Sequence, residues 1–447
     1  MVERKTDEKR IITPGFVLPV VLENLVVLIT GLLFSRSIAA ISDSALAATG
    51  IANVILTTVF AVFSVVITGG AVIVSRLNGE GDRAGAEDTV ERTLGFSAYL
   101  SVAVTALLIL VSEPMLRLLE PSAEAVFFGE SLRYYRVLML SLPLYVLYSV
   151  MAAMCQAMGD TRRPMIAIVT MSVVQVGLAW VFIRSWHMEE LGAALTYVFC
   201  RGVGLALMTA ALLHNRPGLR FRFSRMANLS GGGAVIRRVL RVGTPVSVSG
   251  TFVQIGYLLI NSMAISLGTF SSGVYQILTS MNGHLSTTWT VCRTVALPAV
   301  GNLLGARRID DARRTGRRIL WASILVAGVP ELLCLWKAEY VCGLLSMNPE
   351  MVAESARLFW VMLPIGITSA VINALEPQLQ AGGDVKTVMT VTLIAVWAVR
   401  IPLTWLFVYV LHWGVTGLFL ANLANLCVRA GSFLVRHSGT KWYKKHV

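Results

Sequence analysis

Charged side chains are scarce in this sequence of 447 residues. Only 14% of the residues are Asp, Glu, Lys or Arg, whereas 55% are hydrophobic and the mean hydropathy is +0.70. A soluble domain carries about 25% charged residues. The shortage of charge therefore excludes a soluble enzyme and a disordered chain. The surplus of apolar residues is typical of a protein embedded in a bilayer.

Cysteine and histidine are also few. The six cysteines stand at irregular intervals, mostly inside apolar runs, and the six histidines stand mainly at the ends of such runs. Neither a disulfide framework nor a zinc site has that spacing. The sequence motifs of zinc proteases, serine hydrolases and P-loop ATPases are missing. We therefore expect no cofactor and no ATP-driven pumping, and a membrane-embedded enzyme is only a distant alternative.

Basic residues outnumber acidic ones by 38 to 25. They form no stripe interleaved with aromatic residues, so we expect no nucleic-acid partner. Instead, 27 of them fall in connections on one side of the predicted spans, and the connections on the other side hold only Arg117, Arg184 and Lys337. Cytoplasmic loops carry such an excess of basic residues. This distribution predicts a multi-pass protein of the inner (plasma) membrane with both termini in the cytoplasm.

About twelve apolar stretches are long enough to cross a bilayer. They are predicted at 16–40, 45–75, 93–113, 131–155, 164–184, 191–213, 239–265, 273–303, 317–337, 353–378, 387–410 and 415–436. The sequence therefore predicts an all-α membrane protein of about twelve transmembrane helices.

The two halves of the chain resemble each other in their polar connections. Gly79 to Leu94 aligns with Gly305 to Leu320, and Ala157 to Asp160 aligns with Ala381 to Asp384 at nearly the same separation. An even number of spans separates the matching segments, which gives both halves the same orientation. The repeat predicts two pseudo-symmetric lobes of six helices each.

The boundary between the lobes is predicted from composition. The longest polar interval, 214–238, contains a proline and three consecutive glycines, as a linker does. We predict an N-terminal lobe at 1–213, a cytoplasmic linker at 214–238 and a C-terminal lobe at 239–447 that ends in a basic tail. Trp442 and Tyr443, beside two lysines of that tail, are interpreted as an anchor at the membrane interface.

Short segments in a fixed order resemble the multidrug and toxic compound extrusion (MATE) transporters. They include Pro19 to Leu25, Gln156 to Pro164, Gly301 to Ala306 and Arg400 to Leu403. The resemblance covers nearly the whole chain. It implies a monomeric two-lobed bundle in the lipid bilayer that exports bulky, often cationic, organic compounds in exchange for H⁺ or Na⁺ by alternating access.

A coupled antiporter needs a carboxylate at which the ion and a cationic substrate compete. Glu23 is the first choice, because it lies nine residues past Pro14, about 13 Å along a helix at ~1.5 Å per residue, and so near the bilayer centre. Asn24 is a built-in polar neighbour. The alternative for Glu23 is a glutamate neutralised by a buried arginine.

Two further acids fall inside predicted spans. Glu376 precedes Pro377 near the inner end of the tenth span, where a broken helix would expose carbonyl groups to a cation. The alternative is a solvated helix end. Glu331, which follows Pro330 in the ninth span, is a weaker candidate.

Uncharged polar residues and one arginine within spans are predicted to line the cavity, although such residues also bond neighbouring helices. They are Gln175, Gln254, Asn261, Asn282, Asn373 and Arg400.

The sequence departs from the family pattern at its acidic positions. The family often has an aspartate late in the first span, where this chain has Gly31 to Phe34, and a second aspartate in the fifth span, near Ala179 here. Where one branch has a glutamate in the seventh span, this chain has Gln254. Ion movement is therefore coupled to transport by Glu23, by an acid of the second lobe or by another mechanism.

A lipid-linked precursor flippase of the same superfamily is the nearest alternative function. Such a protein needs a cationic groove for a pyrophosphate head group. The arginines that would supply it are Arg36, Arg201, Arg293 and Arg400. Its relatives usually carry two extra spans, which argues against it.

Overall fold

The computed structural model describes residues 22, 23, 26, 29, 30, 43–119, 125–186, 188–213, 232–343, 348–439, 442 and 443. These residues form helices joined by short turns, and none of them is in a strand. The predicted all-helical membrane fold is confirmed. By contact, the chain divides into two compact units, Met1–Gly243 and Thr244–Val447.

The helices described in the first unit follow one another with short connections. They are α1 (Asp43–Glu80), α2 (Arg83–Leu110), α3 (Ser112–Leu119), α4 (Ala125–Leu140), α5 (Leu142–Ala157), α6 (Arg162–Ala179) and α7 (Glu189–Leu213). A π-helical turn, Trp180–Ser185, extends α6. Helix α8 (Gly233–Ile265) begins in this unit, so the last six residues of the predicted linker are helical.

The helices described in the second unit repeat this pattern. They are α9 (Thr269–Gly305), α10 (Ile309–Trp336), α11 (Ala338–Gly343), α12 (Pro349–Leu358), α13 (Met362–Ala381), α14 (Val385–Ile394), α15 (Ile401–Trp405) and α16 (Gly414–Ser438). The π-helical segments Ala395–Arg400 and Leu406–Val410 join α14 to α15 and extend α15. In this unit α13 is the central helix, and it packs against α9, α10 and α16.

Ten helical stretches in the described part of the chain are long and apolar enough to cross a membrane. They match the predicted second to seventh and ninth to twelfth spans. The predicted first span, 16–40, lies mostly outside the described residues. The predicted eighth span, 273–303, lies within α9, which has 37 residues but is too polar to be among the ten.

Two pairs of turns show the internal repeat at the level of the backbone. Gly159 and Gly383 both adopt a positive φ, of 92° and 81°, and each is followed by an aspartate. At the other aligned turn, Gly81 has a φ of 81°, and the aligned residue Arg307 has a φ of 58°. The left-handed conformation suits glycine and strains arginine. The repeat has therefore kept the turn geometry where it has lost the glycine.

Candidate functional site

The best-defined polar cluster in the second unit is built around Glu376 of α13. Its Oε1 accepts hydrogen bonds from Arg293 Nη2 of α9 at 3.2 Å and from Gln380 Nε2 at 3.0 Å. Its Oε2 accepts one from Arg429 Nη2 of α16 at 3.1 Å. The residue is only 7% exposed. Glu376 is therefore a buried carboxylate held by two arginines, and not a solvated helix end.

The helix around Glu376 is continuous. Pro377 lies inside α13, which runs from Met362 to Ala381 without interruption. The expectation of a broken helix with exposed carbonyl groups is wrong here, because a proline breaks only one backbone hydrogen bond and the packed neighbours of α13 hold the helix together.

Arg400 extends the cluster towards α8. It is 5% exposed, and its guanidinium carbon lies 4.4 Å from the centre of the Tyr257 ring. This is a cation–π contact between the end of a π-helical segment and α8. Its Nε is buried without a hydrogen-bond partner, as is the Nε of Arg429. Two arginines thus bind the carboxylate, and Tyr257 interacts electrostatically with both Arg400 and Arg429. The group contains three arginines and one carboxylate, and so a surplus of positive charge.

A second network lies at the C-terminal ends of α13 and α16. The buried Asp384 pairs with Arg436, and Gln378 Oε1 lies 2.9 Å from His437 Nε2. The ring of His437 stacks on Trp442 at 4.8 Å between centroids.

Trp442 is not an interfacial anchor. Its side chain is 0% exposed, and its Nε1 donates a hydrogen bond to the carbonyl of His437 at 2.9 Å. The backbone of Gly382 lies against it, leaving no room for a Cβ there. The interface prediction was wrong because an aromatic residue beside lysines also fits a tail that folds back into a bundle.

In the first unit Glu23 has a different environment from Glu376. It is partly buried, and its Oε2 has no hydrogen-bond partner. No ion pair among the described residues includes it. Tyr148 of α5 lies close enough to interact electrostatically with it, and the hydroxyl of Tyr148 is also buried without a partner. Asn24 lies outside the described residues.

Arg201 of α7 is a buried cation whose environment the sequence does not predict. It is 7% exposed, and its guanidinium carbon lies 4.5 Å and 4.8 Å from the ring centres of Tyr145 and Tyr197. Its Nη1 also donates a hydrogen bond to Ser141 Oγ. In the described part of this unit Arg201 forms no ion pair with a carboxylate. The signal in the sequence is a charged residue at the middle of an apolar span, which by itself names no partner.

The predicted cavity-lining amides have diverse environments. Asn261 of α8 accepts a hydrogen bond from Gln276 Nε2 at 3.3 Å, and so joins two helices. Asn373 donates to the carbonyl of Ser369 on its own helix at 2.9 Å. Gln254 is exposed, whereas Gln175 and Asn282 are partly buried. Asn261 is a residue of α8, and Arg400 contacts Tyr257 of the same helix.

Of the two positions where the family often has an aspartate, the structure describes one. Ala179 is 2% exposed and packed in the first unit. Residues 31–34 lie outside the described residues. No group of three or more His, Cys, Asp or Glu side chains in the described residues is arranged to hold a metal ion.

Comparison with known proteins decides the family. The MatE family model matches residues 19–181 and again residues 245–406. The chain belongs to the MATE family of transporters. Two matches in one chain agree with the internal repeat seen in the sequence and in the turns.

Individual MATE relatives are distant but of equal length. The uncharacterized transporter YisQ of Bacillus subtilis is 23% identical over 90% of this chain and 89% of its own. The probable multidrug resistance protein NorM of Thermotoga maritima is 20% identical over 96% and 92%. A solved MOP superfamily transporter from Pyrococcus furiosus shares the fold with a TM-score of 0.87, at 18% identity over 96% of both chains. This MATE chain is therefore a membrane transporter.

Proposed function

We propose that this MATE transporter exports bulky, cationic organic compounds from the cytoplasm in exchange for H⁺ or Na⁺ by alternating access. Glu23 is the carboxylate at which ion and substrate compete. The protein works as a monomer in the inner membrane with both termini in the cytoplasm, and it uses no cofactor. The positive-inside distribution of basic residues supports this orientation.

The observation that carries the proposal is the unpaired state of Glu23. A carboxylate that already has an arginine partner gives up that partner only at a large cost in free energy, as Glu376 would. Glu23 has no such partner among the described residues, and its Oε2 makes no hydrogen bond. A partly buried, unpaired carboxylate within a membrane gains most from binding a cation, whether a proton, a sodium ion or a charged substrate.

The names of related proteins support the choice of substrate. The relatives from Pectobacterium atrosepticum and Thermotoga maritima are described as a multidrug resistance protein and a probable one. A transporter that serves several drugs needs few fixed polar contacts. One carboxylate beside aromatic side chains such as Tyr148 meets that need, because a cation binds both groups without demanding one shape.

The test is efflux from proteoliposomes that contain the purified full-length chain. A panel of cationic dyes is followed under an imposed pH gradient, under a sodium gradient and without either. We expect Glu23→Gln to lose the dependence on the ion gradient, with at least about a tenfold lower coupled rate, because glutamine cannot exchange a proton or hold a cation by charge.

A matched control is Glu113→Gln. Glu113 is an exposed glutamate of α3 that pairs with Arg117 at 2.7 Å. Surface pairs of this kind contribute little to stability, so this variant should transport like the wild type. Ion-coupled export that persists in Glu23→Gln, with normal elution and thermal stability, would remove Glu23 from the mechanism.

One observation favours a second candidate function, a flippase for a lipid-linked precursor. The second-unit cluster has two arginines, Arg293 and Arg429, on the single carboxylate of Glu376. A third, Arg400, lies over the ring of Tyr257 beside them. Surplus positive charge in an apolar medium suits an anionic head group. The solved Pyrococcus furiosus relative is described as having a binding pocket of reverse polarity.

Direct binding distinguishes the two functions. A flippase would bind a lipid pyrophosphate with an affinity that falls in Arg400→Gln and is unchanged in Glu23→Gln. Binding of cationic dyes that is unaffected by Arg400→Gln and weakened by Glu23→Gln would instead favour the exporter.

A further inference from the structure

Glu331 is the most deeply buried unpaired carboxyl that the structure describes. It lies on α10 directly after Pro330 and is 1% exposed. Its Oε2 has no hydrogen-bond partner, and no ion pair among the described residues includes it. Neither the exporter model nor the arginine cluster uses this group.

The carboxyl of Glu331 lies directly against the backbone of α13 at Gly366. A Cβ placed on Gly366 would overlap both Oε1 and Cδ of Glu331. The glycine therefore provides the space that the carboxyl group occupies. A glycine of α13 and a glutamate of α10 thus meet where these two helices pack closely.

No positive charge faces Glu331 from its neighbours. On α10 the nearest titratable groups are Cys334 and Lys337, and the ammonium of Lys337 is exposed and lies 4.9 Å from the centre of the Trp336 ring. The titratable groups of helix α11 are the buried thiol of Cys342 and the exposed Glu339 and Tyr340, none of them a cation.

The other two helices that pack against α10 are α9 and α13, and their charged side chains are distant from Glu331 or paired with other residues. On α13 the nearest charged residue is Glu376, ten residues or about 15 Å along the helix from Gly366. Arg293 of α9 is bound to that glutamate. On α12, which precedes α13, Arg357 is exposed and pairs with Glu354 at 3.6 Å.

An ionised carboxylate in such a place would be very unfavourable. Removing an isolated charge from water costs far more than a protein contact returns, so a buried group without a partner takes up a proton instead. In the packed arrangement of α10 and α13, Glu331 is therefore a neutral carboxylic acid. It can lose its proton to water only if the contact with Gly366 opens.

Pro330 is a weak point of the otherwise continuous helix α10. Proline removes the backbone hydrogen bond to the carbonyl four residues earlier, and so weakens the helix next to Glu331. On the orientation given by the basic connections, α10 runs outward and Glu331 lies one and a half turns before its outer end at Trp336. Water from the outer side reaches this position first.

We propose that Glu331 is a second proton-binding site of this MATE transporter, separate from Glu23. The carboxyl binds a proton from the outer water and packs neutral against Gly366; it releases the proton to that water when α10 and α13 separate. The proposal rests on the transporter function but not on Glu23 or on the identity of the substrate.

Infrared spectroscopy tests the proposal directly on the full-length protein in bilayers. A protonated carboxyl group has a carbonyl stretching band that an ionised one lacks. The measurement is made in a Glu23→Gln background, so that Glu23 does not contribute. We expect a protonated-carboxyl band at neutral pH that disappears in Glu331→Gln and persists in the control Glu354→Gln. An identical band with and without Glu331→Gln would overturn the proposal.

Thermal stability gives a second readout that does not depend on transport. The neutral form is the one that packs, whereas in the unfolded chain a glutamate ionises above its ordinary pKa of about 4.3. The melting temperature should therefore fall as the pH rises above that value, and Glu331→Gln should lose most of that fall. An equal fall in both proteins would contradict a proton site at Glu331. Because neither readout measures efflux, failure of the exporter proposal and failure of this one are distinguishable.

A double-mutant cycle tests the packing itself. Gly366→Ala should lower the melting temperature in the wild type and have a smaller effect in Glu331→Ala, where the carboxyl no longer fills the space. Gly328→Ala on α10 is the control, because a Cβ there meets nothing within 4 Å. Equal effects of Gly366→Ala in both backgrounds would overturn the contact.

Discussion

At the scale of single residues, three glutamates inside the membrane differ by their partners. Glu376 is held by Arg293 and Arg429, whereas neither Glu23 nor Glu331 has an ionic partner among the described residues. A carboxylate between two arginines stays ionised and fixed. The unpaired glutamates change their proton or cation occupancy at much lower cost, and for this reason we propose functional roles for them and a structural role for Glu376.

Glu376→Gln should destabilise the second unit. Removal of one partner from a buried ion pair leaves uncompensated charge and typically costs about 3 kcal/mol or more. The side chain of Arg429 is 15% exposed, so it has little access to water. We expect a lower melting temperature of the purified protein, measured by fluorescence-detected size-exclusion chromatography after heating.

Two controls accompany that measurement. The double variant Glu376→Met with Arg429→Met removes both charges and should recover part of the loss. Glu354→Gln breaks an exposed pair and should change stability by less than about 0.5 kcal/mol. A melting temperature of Glu376→Gln equal to that of the wild type would mean that the two arginines do not depend on this carboxylate.

The sequence predicted which residues are unusual but not which residues they meet. Glu376 stood out as an acid in an apolar span, yet its partners are 83 and 53 residues away in the chain. Only the packing of α9, α13 and α16 brings them together. In the same way, nothing local indicates that Gly366 faces Glu331 or that Tyr145 lies against Arg201. Tyr197 is different, because it precedes Arg201 by four residues on the same helix.

At the scale of elements, the turns that follow α1 and α9 are aligned in the internal repeat, but their backbone strain differs. Gly81 and Arg307 occupy aligned positions with φ of 81° and 58°, and both are exposed. The left-handed conformation costs a non-glycine residue about 1 kcal/mol. Gly81→Ala should therefore lower the free energy of unfolding by about 1 kcal/mol, and Arg307→Gly should raise it by a similar or smaller amount.

Melting curves of the full-length protein in detergent measure both effects. Gly431→Ala is a suitable control, because Gly431 lies in the regular helix α16 and a Cβ there meets nothing within 4 Å. Alanine should be tolerated or mildly stabilising at that position. Stabilisation by Gly81→Ala would show that the turn conformation described here is not the one in solution.

Long elements were easier to predict than their ends and interruptions. Apolar runs of membrane length predicted the helices, since a bilayer leaves a spanning segment no other way to satisfy its backbone. The helical start at Gly233, the uninterrupted helix at Pro377 and the buried Trp442 were not predicted, because each depends on tertiary neighbours. Trp442, for example, lies against Gly382, sixty residues before it.

At the scale of the whole molecule, the repeat and the membership of the MATE family rest on independent observations. The family model matches the chain twice, starting at residues 19 and 245, and the aligned turns share their backbone geometry. The sequence predicted this organisation from polar loops, where chance matches are rarer than in apolar spans. Its choice of Glu23 as the coupling residue stays a prediction, because the family's usual aspartates are absent at the positions that correspond to them.

The central claim is that an ion and a cationic compound move in opposite directions through this protein. The most direct measurement loads proteoliposomes with acidic or sodium-rich buffer and follows the dye and the ion together. The account predicts uptake of the dye against its own gradient while the ion leaves, and loss of both movements when the ion gradient is removed or Glu23 is replaced by glutamine. Dye movement that is the same with and without an ion gradient, or that carries the ion in the same direction, would contradict it.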